Sequence, residues 1–233
     1  MILPAVINLL FPVNCVSCGN RIRLNNPYGV CGECIGKLSL TNSRSCRYCG
    51  RPVRTLEGYC TVCSAKKSQI NNFYTIGYYE DIIKILISNF KYNNKRYLGR
   101  ILGDLMFNIF RSRIIKDNIE VIIPVPLSSA RKRERGYNQV EILARHLEKK
   151  TRIKYMGNII KRNRDTNPQY RLTRRERFSN LQGAFSISGK LEGQAVLLID
   201  DIATTGATLQ SMASCLKKAG AGKVHALVLA HGR

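Results

Sequence analysis

Two adjacent carboxylates stand where the chain changes from an apolar run to a turn of small residues. The run at 195–199 is rich in Val, Leu and Ile, and Asp200 and Asp201 follow it directly. An amphipathic stretch over 209–219 completes the segment. The order of strand, acidic pair, turn and helix predicts a binding site for an anion. The turn consists of hydroxyl-bearing and small residues, which are Thr204, Thr205, Gly206, Ala207 and Thr208.

The chemistry expected of this segment is that of a sugar phosphate site. Consecutive backbone N–H groups of the turn would point at a phosphate. The acidic pair, Asp200 and Asp201, would lie beside hydroxyls or a cation carried by the same ligand. Two aspartates after a strand can also begin a turn or cap a helix, but that interpretation explains one of them better than both.

Eight of the nine cysteines form four C-x-x-C pairs in the N-terminal part of the chain. Each pair can place two thiolates on one tight knuckle, and two pairs complete the tetrahedral set of four sulfurs that zinc prefers. Because structural zinc leaves no position for a substrate, catalysis by these ions is not expected. We therefore predict two structural zinc sites, with the ligands Cys15, Cys18, Cys31, Cys34, Cys46, Cys49, Cys60 and Cys63.

The spacing leaves the pairing of these cysteines open. Joining the pairs in order gives two ribbons at 15–34 and 46–63, whereas an interleaved arrangement fits the same spacing. Four disulfides and iron–sulfur ligation are the competing interpretations. The apolar run at 1–13 lacks the basic region and cleavage site of a signal peptide, so a cytoplasmic location is expected, where disulfides are rare. That run is too short to span a bilayer as a helix, and no transmembrane segment is predicted elsewhere.

Positive charge is concentrated in the middle of the chain. The net charge is +23, and residues 131–180 hold sixteen Lys and Arg against five Asp and Glu. Such an excess predicts a partner with many negative charges, which could be nucleic acid, polyphosphate or an acidic membrane surface. A basic, solvated turn is the alternative. Guanidinium groups match phosphate oxygens, so the candidates for binding a multiply charged anion are Arg131, Lys132, Arg133 and Arg135.

Strands and helices must bring these residues together. Apolar spacing predicts strands at 73–79, 120–126, 185–187, 195–199 and 224–229. It predicts helices at 80–90, 97–113, 138–150 and 209–219. Prolines end the strand at 120–126, so the basic segment at 127–139 is predicted to be a loop. The alternation predicts an α/β fold with a mostly parallel sheet, in which ligands bind at the carboxyl ends of the strands.

Length and composition indicate two domains. A chain of 233 residues with 44% hydrophobic residues can form one medium domain and a small one. The polar stretch at 64–72 is typical of a linker. We therefore place the N-terminal apolar segment and cysteine-rich module at 1–66, and the α/β domain at 67–233.

The segment at 196–209, VLLIDDIATTGATL, resembles the ribose-5-phosphate loop of the type I phosphoribosyltransferases. The motif RGYNQ at 135–139 and the four cysteine pairs extend the resemblance to the ComF/GntX family, from about Leu10 to the C-terminus. The resemblance implies a Rossmann-like, type I phosphoribosyltransferase fold with helices on both faces of the sheet. It also implies a small double zinc-ribbon module at the N-terminus.

The resemblance implies roles for the candidate residues. The acidic pair would hold the 2′- and 3′-hydroxyls of phosphoribosyl pyrophosphate (PRPP) and help to place Mg²⁺, while the turn at 204–208 would hold the 5′-phosphate. The basic segment at 131–135 would bind pyrophosphate. Lys91 would lie near the active site, although a solvent-facing lysine is the alternative. A flap at 158–170 would close over PRPP, with the candidate cations Lys161, Arg162 and Arg164.

The resemblance also implies a function. The chain is expected to bind Mg²⁺–PRPP and to handle single-stranded DNA in natural transformation, with other DNA-uptake proteins as further partners. The net charge and the arginines around the cysteine knuckles agree with a nucleic-acid partner. The alternative is a genuine phosphoribosyltransferase that transfers the phosphoribosyl group from PRPP to a nitrogenous acceptor. The sequence contains no base-recognition motif that identifies this acceptor.

Overall fold

A computed structural model describes residues 13–23, 25–41, 44–54, 58–162 and 183–232. A five-stranded sheet lies at its centre. The strands follow the spatial order β5-β11-β10-β6-β7, and every neighbouring pair is parallel. The predicted parallel sheet is therefore confirmed. Its strands are β5 (Asn72–Tyr78), β6 (Val121–Pro124), β7 (Lys154–Tyr155), β10 (Ala195–Ala203) and β11 (Lys223–His231).

Helices cover both faces of this sheet. Helices α2, α3 and α5 pack on one face and α6 packs on the other. A π-helical turn, Phe110–Ile114, continues α3, and a 3-10 turn, Ile115–Asp117, follows it. Within the described ranges, no helix is both long enough and apolar enough to cross a bilayer. The α-helices are α1 (Gly32–Gly36), α2 (Asp81–Tyr92), α3 (Leu98–Ile109), α4 (Ser129–Arg135), α5 (Gln139–Thr151) and α6 (Ala207–Lys218).

The sequence of β10 explains why the sheet has a core on each face. Successive side chains of a strand point to opposite faces. Leu197 and Ile199 belong to the apolar cluster under α2, α3 and α5, whereas Val196 and Leu198 belong to the cluster under α6. A strand buried on both faces must be a continuous apolar run, which is the pattern seen at 195–199.

The predicted end of this strand was wrong. The sequence indicated an end at Ile199, but β10 continues through the acidic pair to Ala203. Asp200 is in register with Val228 of β11, and Ile202 with Ala230. Because β11 remains buried up to its last residue, it can pair with the additional residues of β10. The two carboxylates therefore project from a hydrogen-bonded strand rather than from a loop.

The basic segment after β6 also differs from the prediction. It was expected to be a loop, but residues 129–135 form the short helix α4. The Ser128 hydroxyl oxygen accepts a hydrogen bond from the backbone N–H of Arg131 at 3.4 Å, and Gly136 ends the helix with a φ of +71°. Both are ordinary helix-capping features. The helix has no buried residue, so no apolar periodicity was available to predict it.

The N-terminal module consists of two small antiparallel hairpins. The first pairs β1 (Val13–Asn14) with β2 (Arg21–Ile22), and the second pairs β3 (Arg44–Ser45) with β4 (Pro52–Val53). Residues 1–12, which form most of the predicted apolar N-terminal segment, lie outside the described ranges. A further antiparallel pair, β8 (Ile160–Arg162) with β9 (Phe185–Ile187), lies on the α6 face of the α/β domain.

Candidate functional site

The eight paired cysteines gather into two groups of four. Within each group the sulfur atoms lie within 4.8 Å of one another, as four ligands of a tetrahedral zinc site must. The structure thus pairs the motifs in sequential order and not in the interleaved order, and all nine cysteines are free thiols. We name the segments that carry these groups ribbon 1 (residues 15–34, with Cys15, Cys18, Cys31 and Cys34) and ribbon 2 (residues 46–63, with Cys46, Cys49, Cys60 and Cys63).

One cysteine of each group has a lowered pKa, which favours the thiolate form that zinc binds. In ribbon 2 a hydrogen bond from the Cys49 thiol, together with backbone N–H groups, outweighs burial and lowers the pKa of Cys46 to about 4. In ribbon 1 burial acts against ionisation, but hydrogen bonds from backbone N–H groups lower the pKa of Cys15 to about 6. In the same group as Cys46, the hydrogen bond to Cys46 and burial raise the pKa of Cys49, and burial raises that of Cys63. Metal binding requires deprotonated cysteine, so zinc would release protons from these thiols.

Ribbon 2 lies directly against the threonine-rich turn. Gly206, the residue before α6, has a φ of +75°, and a Cβ atom there would be 2.3 Å from the carbonyl oxygen of Tyr48. Gln210, one turn into α6, donates hydrogen bonds through Nε2 to the Tyr48 carbonyl and to Ser68 Oγ, both at 2.9 Å. Only glycine fits at position 206, because both the backbone conformation and the adjacent ribbon exclude a side chain.

The turn lines a hollow beyond the end of β10. The hollow is bounded by Asp200, by residues 202–203 and by residues 204–209. All five predicted phosphate-loop residues are therefore brought together with one member of the acidic pair. The first N–H groups of a helix have no partner within it, so the start of α6 adds a preference for an anion here.

The second aspartate of the pair faces a different set of partners. Lys91 Nζ lies 2.8 Å from Asp201 Oδ1, and Gln139 Nε2 donates a hydrogen bond to Asp201 Oδ2 at 2.6 Å. The Lys91 side chain is only 11% exposed, so the solvent-facing alternative for this lysine is wrong. The Asp201 N–H in turn donates to Asp200 Oδ1 at 2.8 Å. Protein groups thus neutralise the carboxylate of Asp201, whereas the carboxylate of Asp200 faces the hollow.

The two carboxyl groups differ in acidity for the same reason. Burial and the neighbouring charge of Asp201 raise the pKa of Asp200 to about 7, although Lys91 and Arg131 oppose this shift. Burial would also raise the pKa of Asp201, but Lys91 and Gln139, together with Arg135, hold it below its usual range. A half-buried carboxyl with a raised pKa lacks compensating charge, which a bound cation or hydroxyl donors would supply.

Helix α4 directs part of the basic segment toward the acidic pair. Arg131 and Arg135 are separated by one helical turn and share a face. The positive charges of both act on the acidic pair. Lys132 and Arg133 occupy other directions around α4; both are exposed, as is Arg131, whereas Arg135 is half-buried. The helix therefore directs two of the four predicted anion-binding cations toward the acidic pair.

The predicted flap cations lie on or beyond β8. Lys161 is exposed and in register with Ser186 of β9. The Arg162 guanidinium lies 5.8 Å from the centroid of the Phe185 ring. Arg164 falls outside the described residues, as does the rest of the predicted flap. The structure thus describes only the first strand of that segment.

Two glutamines at the site were missed by sequence reasoning. Gln139 binds Asp201 although the two residues are 62 positions apart, and Gln210 joins ribbon 2 to α6 across 162 positions. The motif RGYNQ contained Gln139, so its place in that motif was a usable signal. Gln210 carried none, because it is a single polar residue in an amphipathic stretch.

Two family models match the chain. Residues 91–233 match the Phosphoribosyl transferase domain, and residues 6–64 match the Double zinc ribbon domain. The first match covers more than half of the chain and contains the acidic pair, the threonine-rich turn and α4. The second contains all eight cysteines of ribbons 1 and 2.

Several curated proteins are similar to the chain over most of its length. Competence protein F of Haemophilus influenzae is 30% identical over 226 residues, which cover 94% of this chain and 97% of that protein. Competence protein ComFC of Bacillus subtilis is 29% identical, with coverage of 82% and 79% respectively. DNA utilization protein YhgH of Escherichia coli O157:H7 is 27% identical, with coverage of 93% and 96%.

Proposed function

The chain belongs to the ComF/GntX family, and from this premise we propose that it binds PRPP with Mg²⁺ and handles single-stranded DNA during DNA uptake. Its partners in natural transformation would be other DNA-uptake proteins. The hollow formed by Asp200 and residues 204–209 is the observation that carries the PRPP part of the proposal. The net charge of +23 and the names of the relatives support the DNA part.

The proposed ligand fits the groups around the hollow. The 5′-phosphate would lie at the turn 204–208 and the start of α6, where backbone N–H groups and the helix dipole favour an anion. The ribose hydroxyls would donate to the carboxylate of Asp200, which faces the hollow. Asp201 would not contact the ligand directly, since Lys91 and Gln139 bind both of its carboxylate oxygens. It would help to position Asp200 through its backbone N–H.

The pyrophosphate end of PRPP would lie toward α4. Arg131 and Arg135 share the face of α4 that acts on the acidic pair, and guanidinium groups match phosphate oxygens. Mg²⁺ would neutralise part of the pyrophosphate charge, with Asp200 as the carboxylate available to it. Lys132 and Arg133 are exposed and would contribute only to the long-range attraction of the anion.

Calorimetric titration with Mg²⁺–PRPP tests this site. Asp200→Asn keeps the shape of the side chain but removes the acceptor charge, so affinity should fall roughly 10- to 100-fold, as expected for lost hydrogen bonds to a charged group. Glu192→Gln removes a charge from an exposed acid near the start of β10 and should leave affinity unchanged. Equal affinities for Asp200→Asn and the wild type would overturn the assignment.

A transfer reaction is the second candidate function. The cations near the acidic pair favour it, because they would stabilise a departing pyrophosphate. The bond between C1 of the ribose and the pyrophosphate oxygen would break, a nitrogen of the acceptor would bond to C1 from the opposite face, and the acceptor would release its proton. Pyrophosphate release should then depend on an added purine or pyrimidine base. Release that no base accelerates would leave binding alone as the function.

Salt dependence tests the DNA part independently of PRPP. Binding of single-stranded DNA through phosphates should weaken linearly in log[salt], with a slope of about 0.7 per phosphate neutralised. Fluorescence anisotropy of a labelled oligo-dT over a series of KCl concentrations gives this slope. A flat response would show that the basic excess does not form a nucleic-acid surface.

A further inference from the structure

A second cavity, separate from the phosphate hollow, runs between α3 and α5. It is open to solvent and has a volume of about 570 Å³, which is large enough for a ligand. Two glycines of α3 allow the helices to approach closely. A Cβ atom on Gly99 would be 2.6 Å from Ile142 Cγ2, and one on Gly103 would be 2.6 Å from the His146 ring. We call this cavity the α3–α5 groove. Gly99 forms part of its base, and longer side chains of α3 and α5 form its sides.

The walls of the α3–α5 groove are basic. Four cations and one carboxylate line it, and one of the cations, Arg145, is paired with Glu148 at 3.0 Å. With Glu148 included and the histidine counted as neutral, the net charge is +2. Arg100 and Lys149 are exposed and form no ion pair with another described residue. A groove lined by one sign of charge concentrates the opposite charge. The charged lining residues are Arg96, Arg100, Arg145, Lys149 and Glu141.

Exposed aromatic rings accompany this charge. Tyr97 lines the groove and is 48% exposed. Its ring also packs against Gly29 of ribbon 1, since a Cβ atom on Gly29 would be 2.3 Å from the ring atom Cε2. Tyr92 is 62% exposed and lies 4.9 Å below the Arg135 guanidinium. Among the exposed large hydrophobic side chains in the described ranges, these two are the only aromatic ones. Aromatic faces beside cations bind unpaired bases by stacking.

Two chain segments connect the groove to the proposed PRPP site. Lys91 binds Asp201, and residues 92–97 lead from this lysine to the groove wall. On the other side, Gln139 binds Asp201, and α5 then runs along the groove as far as Lys149. At 1.5 Å per residue this part of α5 is about 15 Å long. A short stretch of an extended polyanion therefore fits along the groove.

We propose that the α3–α5 groove binds single-stranded DNA. Arg100, Arg145 and Lys149 contact its phosphates, and Tyr97 stacks on a base. This inference rests on the proposed DNA function and supplies the surface for it. Stacking favours a single strand over a duplex, because paired bases do not offer their faces to a protein ring.

The test compares two triple variants in oligo-dT binding by fluorescence anisotropy. The groove variant carries Arg100→Gln, Arg145→Gln and Lys149→Gln. The control variant carries Lys190→Gln, Lys218→Gln and Lys223→Gln. These three exposed cations precede β10, end α6 and begin β11, respectively. The groove variant should lower the salt slope by about 2, since each lost phosphate contact removes about 0.7. The control should keep the wild-type slope.

Single substitutions support the test if the triple variant does not fold. Each of the three groove substitutions alone should lower the slope by about 0.7. Tyr97→Leu keeps an apolar side chain against Gly29 but removes the ring, and it should weaken binding about tenfold, within the range measured for lost base stacking. Tyr97→Phe keeps the ring and should bind as the wild type does.

The outcomes separate this inference from the function on which it rests. Equal slopes for the groove and control variants would overturn the groove while leaving DNA binding intact. A wild-type protein that does not bind oligo-dT would overturn the DNA function and the groove together. Equal affinity for a duplex of the same length, or tighter binding of oligo-rU than of oligo-dT, would overturn the assignment of the groove to single-stranded DNA. Mg²⁺–PRPP affinity of the groove variant should remain that of the wild type.

Discussion

Ribbon 1 and ribbon 2 share a ligand pattern but differ in what they contact. Cysteines of ribbon 1 join the apolar core under α3, and Tyr28 of this ribbon donates a hydrogen bond to Asp104 of α3 at 3.2 Å. Ribbon 2 forms a small cluster of its own, and all four of its cysteines are buried. Its contacts include the turn around Gly206, the side chain of Gln210 and Thr75 of β5. Ribbon 1 thus packs beside the α3–α5 groove, whereas ribbon 2 packs against the turn that lines the hollow.

The difference shows that two copies of one small motif can support separate parts of a larger domain. Structural zinc contributes folding energy to the ribbon that holds it. The position of that ribbon then decides which surface depends on the metal. We expect loss of zinc from ribbon 2 to disturb PRPP binding, and loss from ribbon 1 to disturb core stability and the groove.

We expect the largest change in Mg²⁺–PRPP affinity when one zinc ligand is removed from ribbon 2, and we compare it with removal of the corresponding ligand from ribbon 1. Cys46→Ser and Cys15→Ser each change the first cysteine of a ribbon, and both residues are buried. Cys46→Ser should weaken Mg²⁺–PRPP binding about 100-fold, because displacement of a binding loop by about 1 Å can cost that much. Calorimetry measures this affinity, and metal analysis should show one zinc lost from each variant.

The matched variant decides whether this comparison holds. Cys15→Ser should lower the thermal unfolding midpoint, because its ribbon shares the core with α3, but it should keep Mg²⁺–PRPP affinity close to that of the wild type. Equal losses of affinity in the two variants would mean that the ribbons do not support separate surfaces.

A smaller effect is expected from a methyl group at Gly206. Gly206 and Gly19 have similar φ values of +75° and +78°, but a Cβ on Gly19 meets no atom within 4 Å. Alanine in this conformation costs roughly 1–2 kcal/mol at either position. Gly206→Ala should in addition push ribbon 2 away from the turn and weaken Mg²⁺–PRPP binding at least about tenfold, an added cost of about 1.4 kcal/mol. Gly19→Ala should lower stability alone, and an equal loss of affinity there would contradict the proposed contact.

The smallest expected effect is a dependence of Mg²⁺–PRPP affinity on pH. It should come from Asp200, near ribbon 2, and not from Asp104, near ribbon 1. Burial and Asp201 raise the pKa of Asp200 from 3.8 to about 7. Asp200 is therefore mostly protonated below this pH and charged above it, so Mg²⁺–PRPP affinity should be highest above pH 7. It should fall by at most about tenfold per pH unit below it. Burial would raise the pKa of Asp104, but His146 and Tyr28 hold it below its usual range, so this acid does not titrate near neutrality.

Calorimetry at several pH values between 6 and 8 checks the dependence. A ligand phosphate also titrates near pH 6, so the ratio of wild-type to Asp200→Asn affinity isolates the contribution of Asp200. A ratio that does not change with pH would contradict the raised pKa.

Secondary structure could be predicted from the sequence wherever buried side chains follow each other continuously or at helical spacing. The doubly buried β10 and the apolar stripes of α2, α3 and α5 were visible as runs and periodicities. Helix α4 was missed because it buries no residue, so only its caps marked it. The end of β10 was misplaced because Asp200 and Asp201 look like a strand terminus, while the neighbour that extends the strand is elsewhere in the chain.

The sequence predicted which residues form the candidate site, but it did not predict the different role of each residue. The turn at 204–208 is one local segment, so its residues were identified together. The roles of Asp200 and Asp201 are set by Lys91 and Gln139, which are distant in sequence. Sequential and interleaved zinc sites fit the same cysteine spacing, and only the three-dimensional arrangement decides between them.

The strand order also bears on how the chain folds as it is synthesised. β5 is the first strand of the sheet to be made, yet its neighbour in the sheet is β11, the last. Contacts so distant in sequence form slowly, and an unpaired strand edge is prone to aggregation meanwhile. Ribbon 2 precedes β5, and Thr75 Oγ1 of this strand donates a hydrogen bond to the Gly50 carbonyl at 2.5 Å. We therefore expect zinc-loaded ribbon 2 to pack against β5 and stabilise it before β11 is synthesised.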